Sequence, residues 1–236
     1  MDSTETKNKD TGRFDLSIGQ CVLLYIMAIS AAFFAIIRLY GLLAHTDNLV
    51  DVRFFASKAL GVCLIIGMVF FHRCTPMKIN WKGVNGTKED RARSIKWGLL
   101  MAIVVAAVLF GYRLYLNTLS PENKEVPFFG LYLNMNTRWF YPINMTFQEL
   151  FIKCFVQENI RKFFSGKHRH IAMFTTAAFF FILHVQYPFY YMVGAALLCA
   201  VTGYLYDRYP SIWGPYFVHF AIGFLPRCFG IFQIIE

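Results

Sequence analysis

Residues 147–162 read FQELFIKCFVQENIRK, and the expected architecture of the chain turns on them. Its length and apolar content are those of a buried helix, yet it carries Gln148, Glu149, Lys153, Gln157 and Glu158. The segments around it are too hydrophobic to be anything but membrane-spanning. A carboxylate among such segments is costly and by default marks a functional site. Glu149 and Lys153 stand four apart with the acid first, the spacing that places an ion pair on one face of an α-helix. The plainest structural expectation is therefore an internal Glu149–Lys153 pair that helps this helix pack.

The whole chain agrees with that setting. Its 236 residues are 57% hydrophobic and only 16% charged, where soluble domains run nearer a quarter charged. This predicts an all-α polytopic membrane protein with about seven transmembrane helices. The expected spans are Leu16–Ile37, Ala56–His72, Trp97–Asn117, a helix over 138–164, Ile171–His184, Phe189–Tyr206 and Ser211–Phe232. Most approach the ~20 residues that cross ~30 Å of hydrocarbon, the second and fifth falling short. Residues 1–15 form a polar tail, and the apolar run after them reads as an anchor because it is too long for a signal-peptide core. The organisation expected is thus tail 1–15, N-terminal helices and loops 16–137, and a core over 138–236.

The formal charge is +9, which in a soluble protein would raise the question of nucleic acid. Here the excess sits in short loops: seven Lys and Arg in 73–96 and four in 161–170, against one in 118–137. That pattern orients the chain with its N-terminus in the cytoplasm and meets anionic lipid, with the plasma membrane the expected location and no nucleic acid as partner. Six cysteines show no CxxC spacing, so neither a disulfide framework nor a cysteine zinc site is expected.

Beyond Glu149, the ionisable groups placed to act within the membrane are His184 and His219. A lone histidine on an apolar face is more often a packing residue than a catalyst. Three such groups from three helices differ, because each unpaired polar group costs several kcal/mol in hydrocarbon and one shared hydrated cavity costs least. Such a cavity suits acid–base work on water: a carboxylate takes the proton, and an imidazole orients the water or steadies an oxyanion. Two His and one Glu also form a zinc set. A divalent metal at Glu149, His184 and His219 is therefore the alternative to a site with no cofactor. His168 and His170 of KHRH (167–170) read as a membrane-surface patch.

Three spaced elements carry a resemblance: QELFIK (148–153), the phenylalanine–histidine spacing Phe180–His184, and His219 followed four residues later by Gly223. With GYLYDRYPSIWGPYFVH (203–219) between them, they resemble the motifs EExxxR, FxxxH and HxxxN or HxxxD of the CAAX-protease and bacteriocin-processing (CPBP, Abi) family. The likeness covers roughly 138–232. It implies an Abi-like helical bundle with a membrane-embedded cavity, and an endopeptidase that cleaves a prenylated, lipidated or secreted peptide near the membrane.

Three positions depart from that pattern. Gln148 stands where the family's water-activating glutamate belongs, and an amide has no titratable proton. Lys153 replaces the arginine and loses its bidentate fork. Gly223 replaces the residue thought to help steady the oxyanion. Glu149, His184 and His219 remain, although Glu149 is no simple substitute for the base, since adjacent helix positions point about 100° apart. Whether the chain is an enzyme is thereby open. The expected function is that of a protease-like protein reduced to a pseudo-protease, serving peptide or bacteriocin immunity, processing or the regulation of a partner. Its partners would be the bilayer and either a membrane-proximal peptide or another membrane protein. The alternatives are an active glutamate- and histidine-dependent endopeptidase, and a non-enzymatic transporter or scaffold. The repeat symmetry common in transporters is not seen.

Overall fold

The computed structural model describes residues 16–44, 49–130, 135–164 and 168–235. The polar tail 1–15 and Lys167 of the KHRH patch lie outside the described residues. Two compact units emerge, Met1–Ile79 and Asn80–Glu236. The larger one therefore reaches back well before residue 138, where the motif-bearing core was expected to begin.

In the first unit, α1 (Ile18–Ala44) packs on α2 (Leu49–Cys74). Ser17 and Gln20 form a reciprocal cap at the start of α1: the Ser17 N–H donates to Gln20 Oε1 at 2.9 Å and the Gln20 N–H to Ser17 Oγ at 3.3 Å. Each thereby satisfies an otherwise orphaned group. Gly67 lets α1 come close, its missing side chain leaving room for Ile29 and Tyr25, and Tyr25 meets Phe71 edge-on at 5.0 Å. At the far end of α2 the last carbonyls are covered by Lys78, whose Nζ donates to the Thr75 carbonyl at 2.8 Å and also to that of His72.

The second unit is held along α4 (Lys88–Leu119), a 32-residue helix. Thr87 caps it, its hydroxyl oxygen accepting the Asp90 N–H at 3.0 Å, and this cap also sets Asp90 in the first turn, where the helix dipole favours a negative charge. Leu100, Ile103, Val104 and Val108 of α4 are exposed, an apolar face that suits lipid rather than water. The opposite face carries Ser94 and Gly98, and there α9 (Trp213–Cys228) crosses it. A side chain at Gly98 would strike the Gly214 backbone. Ser94 Oγ accepts the Gly214 N–H at 3.0 Å and donates to the Ser211 carbonyl at 3.1 Å. Without a hydrophobic driving force between helices in lipid, close approach through small residues plus a hydrogen bond is the usual adhesive.

Between these two helices in sequence run α5 (Met135–Glu149), a π-helical segment Leu150–Gln157, α6 (Glu158–Phe163), α7 (Arg169–Ile182) and α8 (Phe189–Arg208). A short α3 (Lys82–Asn85) precedes α4, and α10 (Phe232–Ile235) follows α9. The stretch expected as one regular helix over 138–164 is thus two α-helical pieces joined by a wider i→i+5 turn. Among the described residues, four helices are long and apolar enough to cross a membrane by length and composition: Ile18–Leu42, Ser57–Cys74, Lys88–Leu119 and Phe189–Arg208. The expected count of seven is not reached. α7 has 14 residues and α9 has 16, and polar residues break the apolar run through α5 and the π segment.

Candidate functional site

The π segment positions the site. Glu149 is the last residue of α5, and the wide turn that follows changes how residues four apart are aligned. The expected Glu149–Lys153 pair does not form among the described residues. Lys153, fully buried, instead donates to the Cys199 carbonyl of α8 at 2.9 Å, with Cys199 Sγ at 3.6 Å. Two stacked turns of a regular α-helix would have put both side chains on one face; the i→i+5 ladder swings Lys153 toward α8 and leaves Glu149 facing α9.

There Glu149 Oε1 lies 2.7 Å from His219 Nδ1, both residues being buried. The other carboxylate oxygen, Oε2, is buried without a hydrogen-bond partner among the described residues. With the carboxylate accepting, Nδ1 of His219 carries the proton, so the lone pair of the neutral ring resides on Nε2. His184 follows just after α7 rather than closing it. Its Nδ1 meets the Phe180 carbonyl at 2.8 Å. A carbonyl only accepts, so His184 also holds its proton on Nδ1 and its lone pair on Nε2.

Phe180 joins the two histidines. Its ring centre lies 4.5 Å from that of His184 and 6.3 Å, edge-on, from that of His219. Glu149 and His219 therefore meet directly, and His184 stands beside them across one aromatic ring. Gln148 is half-buried and makes no side-chain hydrogen bond among the described residues. Gly223 lies one turn beyond His219 on the same face of α9, and a side chain there would run into the Tyr141 hydroxyl of α5.

No three His, Cys, Asp or Glu side chains gather into a metal-binding group among the described residues. The Nδ1 atoms of both histidines are held by protein acceptors, so each would offer only Nε2 to a metal.

Sequence reasoning missed Cys199 as the acceptor for Lys153, because nothing in QELFIK announces a π turn. It also missed Tyr141, which lies outside the three motifs; the signal was Gly223 itself, since a residue without a side chain at a packed helix crossing leaves space that a neighbour fills.

The chain is thus helical, has among the described residues four helices long and apolar enough to cross a membrane, and holds a buried carboxylate–imidazole pair beside a second imidazole. Residues 132–225 match the family model for Rce1-like type II CAAX prenyl endopeptidases, and this match supports membership of the CAAX-protease and bacteriocin-processing family. No curated protein and no solved structure gives a significant match to the chain.

Proposed function

We propose that the chain is a membrane-embedded, CAAX-endopeptidase-like protein that binds a membrane-proximal peptide or another membrane protein without hydrolysing it efficiently. The observation that carries this reading is the environment of the Glu149 carboxylate. Glu149 is hydrogen-bonded to His219 at 2.7 Å, while the neighbouring position that the family fills with its base is the amide Gln148. A general base must stand within about 3 Å of the proton it takes, directly or through one water. Losing a positioned base typically costs 10²–10⁴-fold in rate. Binding without turnover fits a role in peptide or bacteriocin immunity, in processing, or in regulating a partner. The lysine- and arginine-rich loop 73–96 supports a cytoplasmic N-terminus at the plasma membrane. The exposed apolar faces of α4 and α8 support the bilayer as the constant partner.

One observation favours a second reading. A carboxylate on Nδ1 fixes the imidazole tautomer and makes Nε2 a better base, the arrangement used where a carboxylate orients a catalytic histidine. On that reading His219 replaces the missing glutamate and the chain is an active endopeptidase.

The two part in one assay. The full chain in liposomes is given a farnesylated peptide ending in a cysteine–aliphatic–aliphatic–X sequence. Little wild-type cleavage and a gain of roughly 10²-fold or more in Gln148→Glu are expected. Robust wild-type cleavage that vanishes in His219→Ala would establish the second reading and end the first.

A further inference from the structure

The third motif lacks its polar side chain at Gly223, and the space is not empty. The Tyr141 hydroxyl sits where a Cβ on Gly223 would be, with the ring carbon that bears it close behind. Two contacts fix the ring from α9: Phe220 at 5.9 Å and Phe224 at 6.2 Å between centres. Phe220 and Phe224 stack on each other at 4.7 Å, and Tyr216 stacks on Phe220 at 5.9 Å. This ladder runs along α9 beside the turn that carries His219. The hydroxyl is thus held at one place by its ring, while no side-chain hydrogen bond to it is made among the described residues.

Its surroundings also include polar side chains. Tyr191, Arg227, Tyr187 and Tyr216 are all close enough to act on it electrostatically. Tyr187 in turn faces the His184 ring at 5.8 Å and stacks on Tyr191 at 5.1 Å. A phenol that is fixed, unpaired and directed into the face bearing His219 is a hydrogen-bond donor waiting for an acceptor.

We infer that Tyr141 takes over the task of the absent third-motif side chain, donating its O–H to the carbonyl oxygen of a peptide bound beside His219. This rests on the reading that the site still takes a peptide. It changes what that site lacks: the oxyanion donor is supplied from α5 instead of α9, and only the base is missing. In a chain with a carboxylate restored at position 148, that carboxylate takes a proton as the water oxygen bonds to the peptide carbonyl carbon. The carbonyl π pair moves onto oxygen, and the Tyr141 O–H stabilises the resulting oxyanion. Collapse of that intermediate expels the amine, which takes up the proton.

The test uses the full chain in liposomes with the same farnesylated peptide, in wild type, Tyr141→Phe, Gln148→Glu and Gln148→Glu/Tyr141→Phe. Phenylalanine keeps the ring contacts, so folded yield and thermal midpoint should stay as in wild type. Cleavage gained by Gln148→Glu should fall by about 10²–10³-fold in the double variant, the cost of one oxyanion donor, with most of the loss in kcat and KM rising by no more than the change in peptide binding. Peptide binding to Tyr141→Phe should be roughly three- to tenfold weaker than to wild type, as for one neutral hydrogen bond. Equal cleavage in the single and double variants, or equal binding by wild type and Tyr141→Phe, overturns the role of the hydroxyl. An inactive Gln148→Glu would instead defeat the claim that only the base is missing, with the binding comparison still deciding Tyr141. Absence of peptide binding to wild type would overturn both this inference and the function on which it rests.

Discussion

Lys153 is a fully buried cation whose partners are a backbone carbonyl and a thiol. Neither is an anion, so the ammonium's desolvation is only partly offset. Lys153→Met keeps the length of the side chain and removes the charge. Thermal unfolding in detergent should show a midpoint equal to or above that of wild type, and a loss of more than about 3 kcal/mol would mean that the charge has a partner at Lys153 that matters. Glu149 behaves differently, because its removal leaves the buried His219 N–H without an acceptor. Glu149→Ala should cost about 1–3 kcal/mol. A double-mutant cycle should place a coupling of about 0.5–3 kcal/mol on Glu149 with His219. The same cycle on Glu149 with Lys153 should give a value near zero, and a large one there would restore the ion pair that the sequence predicts.

At this scale the identities were readable and the partners were not. Spacing picks out Glu149, His184 and His219, since ionisable side chains stand out against apolar helices. Which atom each one meets depends on the rotation of the backbone between them, and that rotation is altered by a π turn with no residue signature. Tyr141 escaped for another reason: a tyrosine in an aromatic-rich membrane chain is unremarkable until its contact with Gly223 is seen.

Among the elements, the crossing of α4 and α9 is the most exacting. Gly98 and Gly214 face each other with no room for a methyl group between them, and Gly214 is also confined by Ser94 and by Leu205 of α8. Gly214→Ala should destabilise the fold by roughly 1–3 kcal/mol, the usual cost of overpacking a tight interface. Heat-induced aggregation of the purified protein reads this out, and an unchanged midpoint would show that the crossing can open freely. Gly223→Asn should likewise lower folded yield while Tyr141 is present, because the new side chain and the phenol claim the same space. Pairing it with Tyr141→Ala should recover part of that loss, whereas a Gly223→Asn variant that is fully stable alone would remove the evidence for the hydroxyl's position. The long spans were legible from hydropathy alone. Small residues four apart at Ser94 and Gly98 are the kind of pattern that marks helix contact in membranes, but their partner on α9 needed the three-dimensional pairing.

For the whole molecule, the second unit closes through Arg113 near the end of α4. It is fully buried, donates from Nε to the Phe229 carbonyl at 2.8 Å and from Nη2 to the carbonyls of Val126 at 2.8 Å and Asn123 at 3.2 Å. It also bonds Asn117 and lies 5.3 Å from the centre of the Phe128 ring. Arg113→Met would leave the buried Phe229 carbonyl unpaired at about 1–3 kcal/mol and strip a donor from the part-buried Val126 and Asn123 carbonyls. The expected outcome is loss of the monodisperse peak on size exclusion, with Arg113→Lys recovering little of it because an ammonium lacks the guanidinium's spread of donors. A monodisperse Arg113→Met protein would show that the loop and α9 hold without it.

The order of those partners along the chain has a consequence for biogenesis. Asn117, Asn123 and Val126 follow Arg113 within 13 residues, whereas Phe229 lies 116 residues away. A ribosome making 5–20 residues per second reaches Val126 in roughly a second or two but needs on the order of 5–20 s more to deliver Phe229. During that interval the local loop already wraps the guanidinium, so α4 can leave the translocon with its charge clothed and wait for α9. The arginine is thus a latch that is safe while open, and its last donor shuts only when the end of the chain arrives.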